Sequence, residues 1–169
     1  MKDQYSVRPV LLKDINGIQR VAELSWRDTY QSIFPETFID DFLKRAYSKE
    51  SLDAVIQRDL TKYERRFILV ESQEEIVGYA HFSDVSIGEI EILRIYVMPD
   101  FQGKGLGKSM ILNQLNSDPT IRRIFAWVEE ENLKGIGFYE ANGFDSGEDK
   151  TEEINGQKLR LKKYIKAIL

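Results

Sequence analysis

The glycine-rich segment 102–109 carries the clearest chemical signal in this sequence. Its residues, Gln-Gly-Lys-Gly-Leu-Gly-Lys-Ser, lie between an apolar run and a pattern with helical spacing. Such a turn gathers backbone N–H groups and a helix N-terminus around one point, where unpaired donors and the helix dipole stabilise phosphate oxygens. Glycine also lets the backbone approach a phosphate without a Cβ clash. With Lys104 and Lys108 nearby, the segment predicts a phosphate-binding loop.

Two phosphate-binding patterns compete for this segment. Residues 107–109 match the Gly-Lys-Ser end of a P-loop, but that pattern requires its first glycine where this chain has Gln102. Gly103 is one residue too close, which makes the loop too short for a β-phosphate. The second pattern is Gln-x-x-Gly-x-Gly, which Gln102, Gly105 and Gly107 satisfy. A glycine turn that binds no ligand is a third interpretation.

With its flanks, the second pattern resembles the GCN5-related N-acetyltransferase (GNAT) superfamily. Segment 95–99, Ile-Tyr-Val-Met-Pro, is similar to the strand end that precedes the family's pyrophosphate loop. Segment 132–144 resembles the family's Asn-x-x-Ala/Gly-x-x-Phe-Tyr-x-x-x-Gly-Phe pattern. The resemblance covers roughly residues 67–165. It implies an acyl-CoA-dependent N-acetyltransferase that uses acetyl-CoA and needs no metal.

The resemblance also implies where acetyl-CoA binds. In this family two central strands splay apart at a bulge, and the pantetheine lies in the gap like an added strand. Here those strands are 89–97 and 124–128, and a strand N–H would polarise the thioester carbonyl. The implied CoA-contacting residues are Ile95, Tyr96, Val97, Gln102, Gly103, Lys104, Gly105, Leu106, Gly107, Lys108, Asn132, Phe138 and Tyr139.

Transfer to a primary amine needs a base for the protonated amine and benefits from an acid for the departing thiolate. Tyr139 matches the family's general-acid tyrosine, with packing among core aromatics as the alternative. Glu91, eleven residues before Gln102, matches the family position of a glutamate that acts through water. Glu89 or a chain of waters could act instead. Alternatively, Glu91 has a structural role and forms an ion pair with Arg94.

Strand periodicity predicts which side chains of segment 89–97 share a face. Strict alternation places Glu89, Glu91, Leu93, Ile95 and Val97 on one face, and Ile90, Ile92, Arg94 and Tyr96 on the other. A carboxylate in a largely apolar strand is costly unless it has a partner or a function. We therefore expect Glu91 to have one or the other.

The sequence indicates the acceptor site less specifically than the acetyl-CoA site. Trp26, Tyr30 and Phe34 lie on the first predicted helix and its exit, a region that lines the acceptor pocket in this family, or they pack in the core. His81 could face the same pocket or be structural. Four acidic residues lie in the region: Asp28, Glu36, Asp40 and Asp41. They suit a small cationic amine such as a polyamine, although a solvated acidic face explains them equally.

The elements that must position these residues follow from hydrophobic periodicity and turn residues. Strands are predicted at 4–9, 67–71, 76–83, 89–97, 124–128, 148–154 and 157–166, with a hairpin turn at Asn155-Gly156. Helices are predicted from 15 to the break at Phe34-Pro35, and at 36–46, 50–60, 105–115 and 133–141. This order predicts one α/β (α+β) domain over 1–169, with the GNAT fold implying a central, mixed, mostly antiparallel sheet flanked by helices.

Composition excludes several other classes. The chain has no cysteine and one histidine, so a disulfide scaffold, a thiol nucleophile and a Cys-ligated metal are excluded. With 24 Lys+Arg against 28 Asp+Glu, the net charge of −4 argues against general nucleic-acid binding. No apolar run approaches the ~20 residues of a membrane span. The first five residues lack the apolar run of a signal peptide, so we expect a cytoplasmic protein without a membrane partner.

Several functions therefore stay open. The first is an N-acetyltransferase for a small cationic amine, and a protein or peptide N-acetyltransferase is its closest variant. A non-catalytic acyl-CoA-binding or regulatory module belongs to a different class. The sequence also leaves a homodimer open, because members of the family often associate through sheet edges.

Overall fold

The computed structural model describes residues 4–169. Met1, Lys2 and Asp3, on which part of the signal-peptide expectation rests, lie outside the described residues. The strands are β1 (Tyr5–Pro9), β2 (Phe67–Ser72), β3 (Glu75–Phe82), β4 (Glu89–Val97), β5 (Arg123–Glu129), β6 (Asp145–Ile154) and β7 (Gln157–Ala167). The α-helices are α1 (Ile15–Tyr30), α2 (Glu36–Ala46), α3 (Lys49–Leu60), α4 (Leu106–Ser117) and α5 (Leu133–Ala141). Every predicted helix and strand is present, although β6 begins at Asp145 rather than near 148.

The strands form one mixed sheet in the order β1-β2-β3-β4-β5-β7-β6. Neighbouring strands are antiparallel except β4 and β5, which are parallel. The predicted α/β fold with a mixed, mostly antiparallel sheet is therefore confirmed. Among the described residues, no helix is long and apolar enough to cross a membrane.

The helices cover opposite faces of the sheet and create two cores. Helices α1, α2 and α3 contribute Ile18, Phe38 and Leu52 to one core, and we call the sheet face beneath them the α1 face. Helices α4 and α5 contribute Met110 and Tyr139 to the other core, on the α4 face. Most residues of β2 and β3 are buried, because helices cover both faces of these strands.

The sheet splits between its two parallel strands. Residues 89–91 of β4 pair with residues 123–125 of β5, and the pairing ends there. Beyond that point β4 stays paired with β3, while β5 stays paired with β7 as far as Glu129. Because each strand is held by its outer neighbour, the inner edges of β4 and β5 diverge and leave a gap in the middle of the sheet.

A bulge at Leu93 changes which side chains of β4 share a face. His81 of β3 is opposite Arg94, and Phe82 is opposite Ile92, so Leu93 is an extra residue in β4. Tyr96 packs in the α1-face core, and the Arg94 guanidinium lies over the rings of Tyr47 and Phe67 in that core.

The predicted strict alternation along β4 is therefore wrong beyond residue 92. Ile95 and Val97 join Ile90 and Ile92 on the α4 face, where all four belong to one core. Arg94 and Tyr96 share the α1 face with Glu91, because one inserted residue reverses the parity of all that follow.

Candidate active site

A cavity of about 650 Å³ occupies the gap between the diverging halves of β4 and β5. Tyr96 and Trp127 line it from the α1 face, and Leu106 and Tyr139 line it from the α4 face. The cavity therefore passes through the sheet. It brings together these residues of the predicted site: Tyr30, Ile95, Tyr96, Val97, Gln102, Gly103, Gly105, Leu106, Gly107, Lys108, Asn132, Phe138 and Tyr139.

The glycine-rich loop forms one end of this cavity. Gly103 and Gly105 have φ angles of +78° and +76°, and a Cβ at either position would meet nothing within 4 Å. Gly105 is the N-cap of α4, and no side chain caps the first N–H groups of this 12-residue helix. Open N–H donors at a helix N-terminus suit a pyrophosphate. Lys104 and Lys108 are exposed beside the loop.

The inner edge of β4 offers backbone groups to the gap. The Met98 N–H donates to the Val77 carbonyl of β3 at 2.8 Å. Because backbone direction alternates along a strand, the N–H of Tyr96 also faces β3, and those of Ile95 and Val97 face the gap. Ile95 and Val97 are thus placed to pair with an extended ligand, whereas Tyr96 contributes its side chain.

Helix α5 places Tyr139 against the cavity. The helix begins after Asn132, whose Oδ1 accepts the Gly135 N–H at 2.9 Å and so caps the helix. The Tyr139 ring contacts Phe138, Phe144 and Tyr164, with centroids 5.1 to 6.1 Å apart. Burial, and secondarily the nearby Tyr30, raise the pKa of Tyr139 above its ordinary value. Its hydroxyl therefore keeps its proton at neutral pH.

The two carboxylates of β4 have different surroundings. The Glu89 carboxylate forms an ion pair with Arg123 at 3.4 Å. Glu91 lies at the last parallel pair before the gap, opposite Phe125, and it forms no ion pair with the described residues. Burial raises the pKa of Glu91, with Lys150 acting against that shift. Of the two candidate bases, Glu91 is therefore the one whose charge is not balanced by an ion pair with a described residue.

The aromatic residues of the predicted acceptor side differ in their access to the cavity. Tyr30 lines it, and its hydroxyl is 3.0 Å from that of Tyr96. Burial raises the pKa of Tyr30 to about 12. Trp26 is buried in a stack with Phe42, and Phe34 is buried beside Tyr30. Trp26 and Phe34 therefore support Tyr30 from behind and do not line the cavity.

His81 is outside the cavity as well. Its ring stacks on Phe67 with centroids 4.7 Å apart. Burial and then the charge of Arg94 lower the pKa of His81 to about 4. The imidazole is therefore neutral near pH 7 and is placed as a packing residue in the α1-face core.

The predicted acidic surface is partly neutralised. Asp28 pairs with Lys134, and Asp40 pairs with Arg27, each at 2.6 Å. Glu36 and Asp41 are exposed on α2. Because two of the four carboxylates already have cationic partners, the surface offers less negative charge to an acceptor than the sequence suggests.

Arg94 and Trp127 are among the cavity residues that the sequence-based set does not contain. Strict alternation places Arg94 on the opposite face from Glu91, because the bulge cannot be recognised from alternation. Trp127 lies two residues after Phe125 in β5, and alternation there correctly separates these aromatics from the buried Ile124 and Ala126. This pattern was available in the sequence and could have identified Trp127.

The left-handed backbone at Gly105 provides a test of the loop. We expect Gly105→Val to weaken CoA binding by about tenfold or more, because a β-branched residue at this φ is strained by roughly 1–2 kcal/mol and turns the N–H donors away. Calorimetric titration with CoA measures the change. Gly137→Ala is the matched control, since a Cβ there meets nothing within 4 Å and the backbone is helical. Equal affinities in both variants would contradict the assignment of the loop.

Comparison with known proteins agrees with this geometry. Residues 19–144 match the model of the Acetyltransferase (GNAT) family. A spermidine N(1)-acetyltransferase of Thermoplasma acidophilum is 26% identical over 159 residues, covering 93% of this chain and 95% of that protein. A spermidine N(1)-acetyltransferase of Vibrio cholerae is 25% identical over 158 residues, covering 90% and 83%. The crystal structure of a PaiA N-acetyltransferase from T. acidophilum in complex with coenzyme A superposes with a TM-score of 0.78, at 25% identity, over 94% of this chain and 98% of that one.

The chain belongs to the acetyltransferase (GNAT) family. It is an acyl-CoA-dependent N-acetyltransferase whose cosubstrate is acetyl-CoA, as the resemblance implied. Membership excludes the P-loop interpretation of the glycine segment. Among residues 4–169, no group of three or more His, Asp or Glu side chains could hold a metal ion.

Proposed function

We propose that this protein transfers the acetyl group of acetyl-CoA to a primary amine of a linear polyamine. The observation that carries the proposal is the cavity through the sheet, which joins an open glycine loop and Tyr139 on one face to Trp127 on the other. Relatives that match over most of this chain are named spermidine N(1)-acetyltransferases, which supports a polyamine as the acceptor.

In the proposed binding mode, each part of acetyl-CoA has its own contacts. The N–H groups of 103–108 hold the pyrophosphate, and the backbones of Ile95 and Val97 hydrogen-bond the pantetheine in the gap. A strand N–H polarises the thioester carbonyl and stabilises the oxyanion. Gln102, whose Nε2 donates to the Val97 carbonyl at 3.1 Å, ties the loop to the end of β4.

The proposed reaction is direct attack of the amine on the thioester. Glu91 accepts a proton from the ammonium through water, because it is half-buried and has no ion-pair partner among the described residues. The neutral amine then forms the amide bond while the carbon–sulfur bond breaks. Tyr139 donates its proton to the departing thiolate. The second proton, which the nitrogen loses as the amide forms, returns to Tyr139 through water. The products are the acetamide, free CoA and one proton.

Three further assignments stay predictions. We propose that residues 1–169 act as one domain, that the protein is cytoplasmic, and that it works as a monomer or as a homodimer formed through a sheet edge. On the acceptor side, Tyr30 contacts the substrate, Trp26 and Phe34 pack against Tyr30, and His81 packs on Phe67.

An amine panel tests the proposed activity. The protein is incubated with acetyl-CoA and, separately, with polyamines, amino acids, aminoglycosides and lysine peptides, and release of free thiol is recorded. We expect kcat/KM to be highest for polyamines, with mass spectrometry confirming one added acetyl group. Faster turnover of a lysine peptide than of any polyamine would replace the proposed acceptor with a protein or peptide.

A further inference from the structure

The α1 face of β5 presents an aromatic surface beside the cavity. Phe125 and Trp127 are half-buried on this face, and Trp127 also lines the cavity. The β6–β7 hairpin brings two lysines over these rings. The Lys150 ammonium is 4.2 Å from the centroid of Trp127, and the Lys163 ammonium is 4.4 Å from that of Phe125.

Lys150 occupies a complete site for an ammonium group. Its Nζ lies 2.9 Å from Oε1 of Glu152, and the aromatic face of Trp127 is its second contact. An aromatic face beside a carboxylate is an environment that stabilises a partly desolvated cation. The position of the Lys150 ammonium therefore marks a place where the ammonium group of a ligand would also be stabilised.

We propose that Trp127 and Glu152 form a subsite for the second ammonium group of the acceptor, and that Lys150 fills this subsite until the acceptor displaces it. The inference rests on the proposed function, since it concerns acceptors with two or more amines. Lys150 is then an internal competitor that lowers the affinity for such acceptors.

The chemistry of a polyamine requires two different environments. The amine that attacks the thioester must lose its proton, whereas the next nitrogen along the chain stays an ammonium at neutral pH. The environment that removes a proton from the first nitrogen therefore cannot be the one that stabilises the second nitrogen as an ammonium. Trp127 meets this requirement because it belongs both to the cavity lining and to the Lys150 site.

Neighbouring cations make it necessary for the acceptor to displace Lys150. Lys163 is held by Glu148 at 3.4 Å, so it stays over Phe125 and adds positive charge nearby. Arg94 lines the cavity on the same face without an ion-pair partner among the described residues. An acceptor ammonium added beside Lys150 would meet three cations, whereas one that replaces Lys150 leaves the local charge unchanged.

The matched pair Lys150→Ala and Lys162→Ala tests the subsite. Both side chains are 37% exposed on the same hairpin, and Lys162 pairs with Asp149 at 3.0 Å on the opposite face of the sheet. We expect Lys150→Ala to lower KM for a linear diamine by about three- to tenfold, and to change KM for a monoamine of equal length by less than about twofold. Lys162→Ala should leave both values unchanged.

Binding of a bis-quaternary alkane diammonium separates this inference from the proposed activity, because that compound cannot be acetylated. We expect calorimetry to show tighter binding to Lys150→Ala than to wild type, and weaker binding when Trp127→Leu is added. Polyamine turnover with identical diamine KM values in Lys150→Ala and Lys162→Ala would overturn the subsite and leave the activity intact. Absence of polyamine turnover, with the bis-quaternary compound still bound more tightly by Lys150→Ala, would overturn the polyamine activity and retain the subsite.

Discussion

Replacing Tyr139 by phenylalanine is expected to lower kcat by about 100-fold, because general acid catalysis typically contributes ~10²–10⁴-fold. The substitution removes the proton that Tyr139 offers to the thiolate and keeps the ring contacts with Phe144 and Tyr164. The affinity for CoA should stay within about twofold of wild type, since the pyrophosphate loop and β4 are unchanged. Steady-state thiol release and calorimetric CoA titration measure the two quantities separately.

Tyr164→Phe is the control for this experiment. Tyr164 is buried on the same face and stacks on Tyr139 with centroids 6.1 Å apart, but it does not line the cavity. We expect its turnover to match wild type. Wild-type kcat in Tyr139→Phe would remove the acid assignment, and equal losses in both variants would show that the aromatic cluster acts through packing.

Glu91→Gln is expected to have the second largest effect, visible in the pH dependence. With Glu91 as base, the reactive form pairs a carboxylate with an ammonium, so kcat/KM is level between the pKa of Glu91 and that of the amine, which is about 10. Since burial raises the pKa of Glu91, the loss at acid pH should begin above the ordinary glutamate range. The variant can use only free amine.

The amide variant should therefore lose about 100-fold in kcat/KM near pH 7 and recover about tenfold per pH unit until pH approaches 10. Glu89→Gln is the matched control, because its carboxylate lies on the same face and is already paired with Arg123. We expect that variant to keep the level wild-type profile. A level profile in Glu91→Gln would assign proton removal to water or another group.

The phosphate loop was predictable from sequence because its function resides in the backbone. Glycines at 103 and 105 adopt the left-handed conformation that glycine accepts without strain, and the helix that follows begins at Leu106. Asn132 was similarly accessible, since a cap residue acts on the N–H three positions later. In both places the chemistry depends on neighbours in sequence.

The acceptor face was harder to predict because it depends on contacts between distant segments. The bulge at Leu93 arises where β4 pairs with β3, and it moves Arg94 to the face of Glu91. The ion pair of Asp28 with Lys134 joins residues 106 positions apart and removes charge that the sequence assigned to the acceptor. The contact of Lys150 with Trp127 likewise requires the hairpin to lie against β5.

A crystal structure of the protein with bound CoA is the most direct test of the central claim, that acetyl transfer takes place in the gap between β4 and β5. We expect pantetheine hydrogen-bonded to the backbones of Ile95 and Val97, pyrophosphate at the N–H groups of 103–108, and the sulfur within hydrogen-bonding distance of the Tyr139 hydroxyl. CoA bound outside the gap, or a sulfur beyond reach of Tyr139, would contradict it.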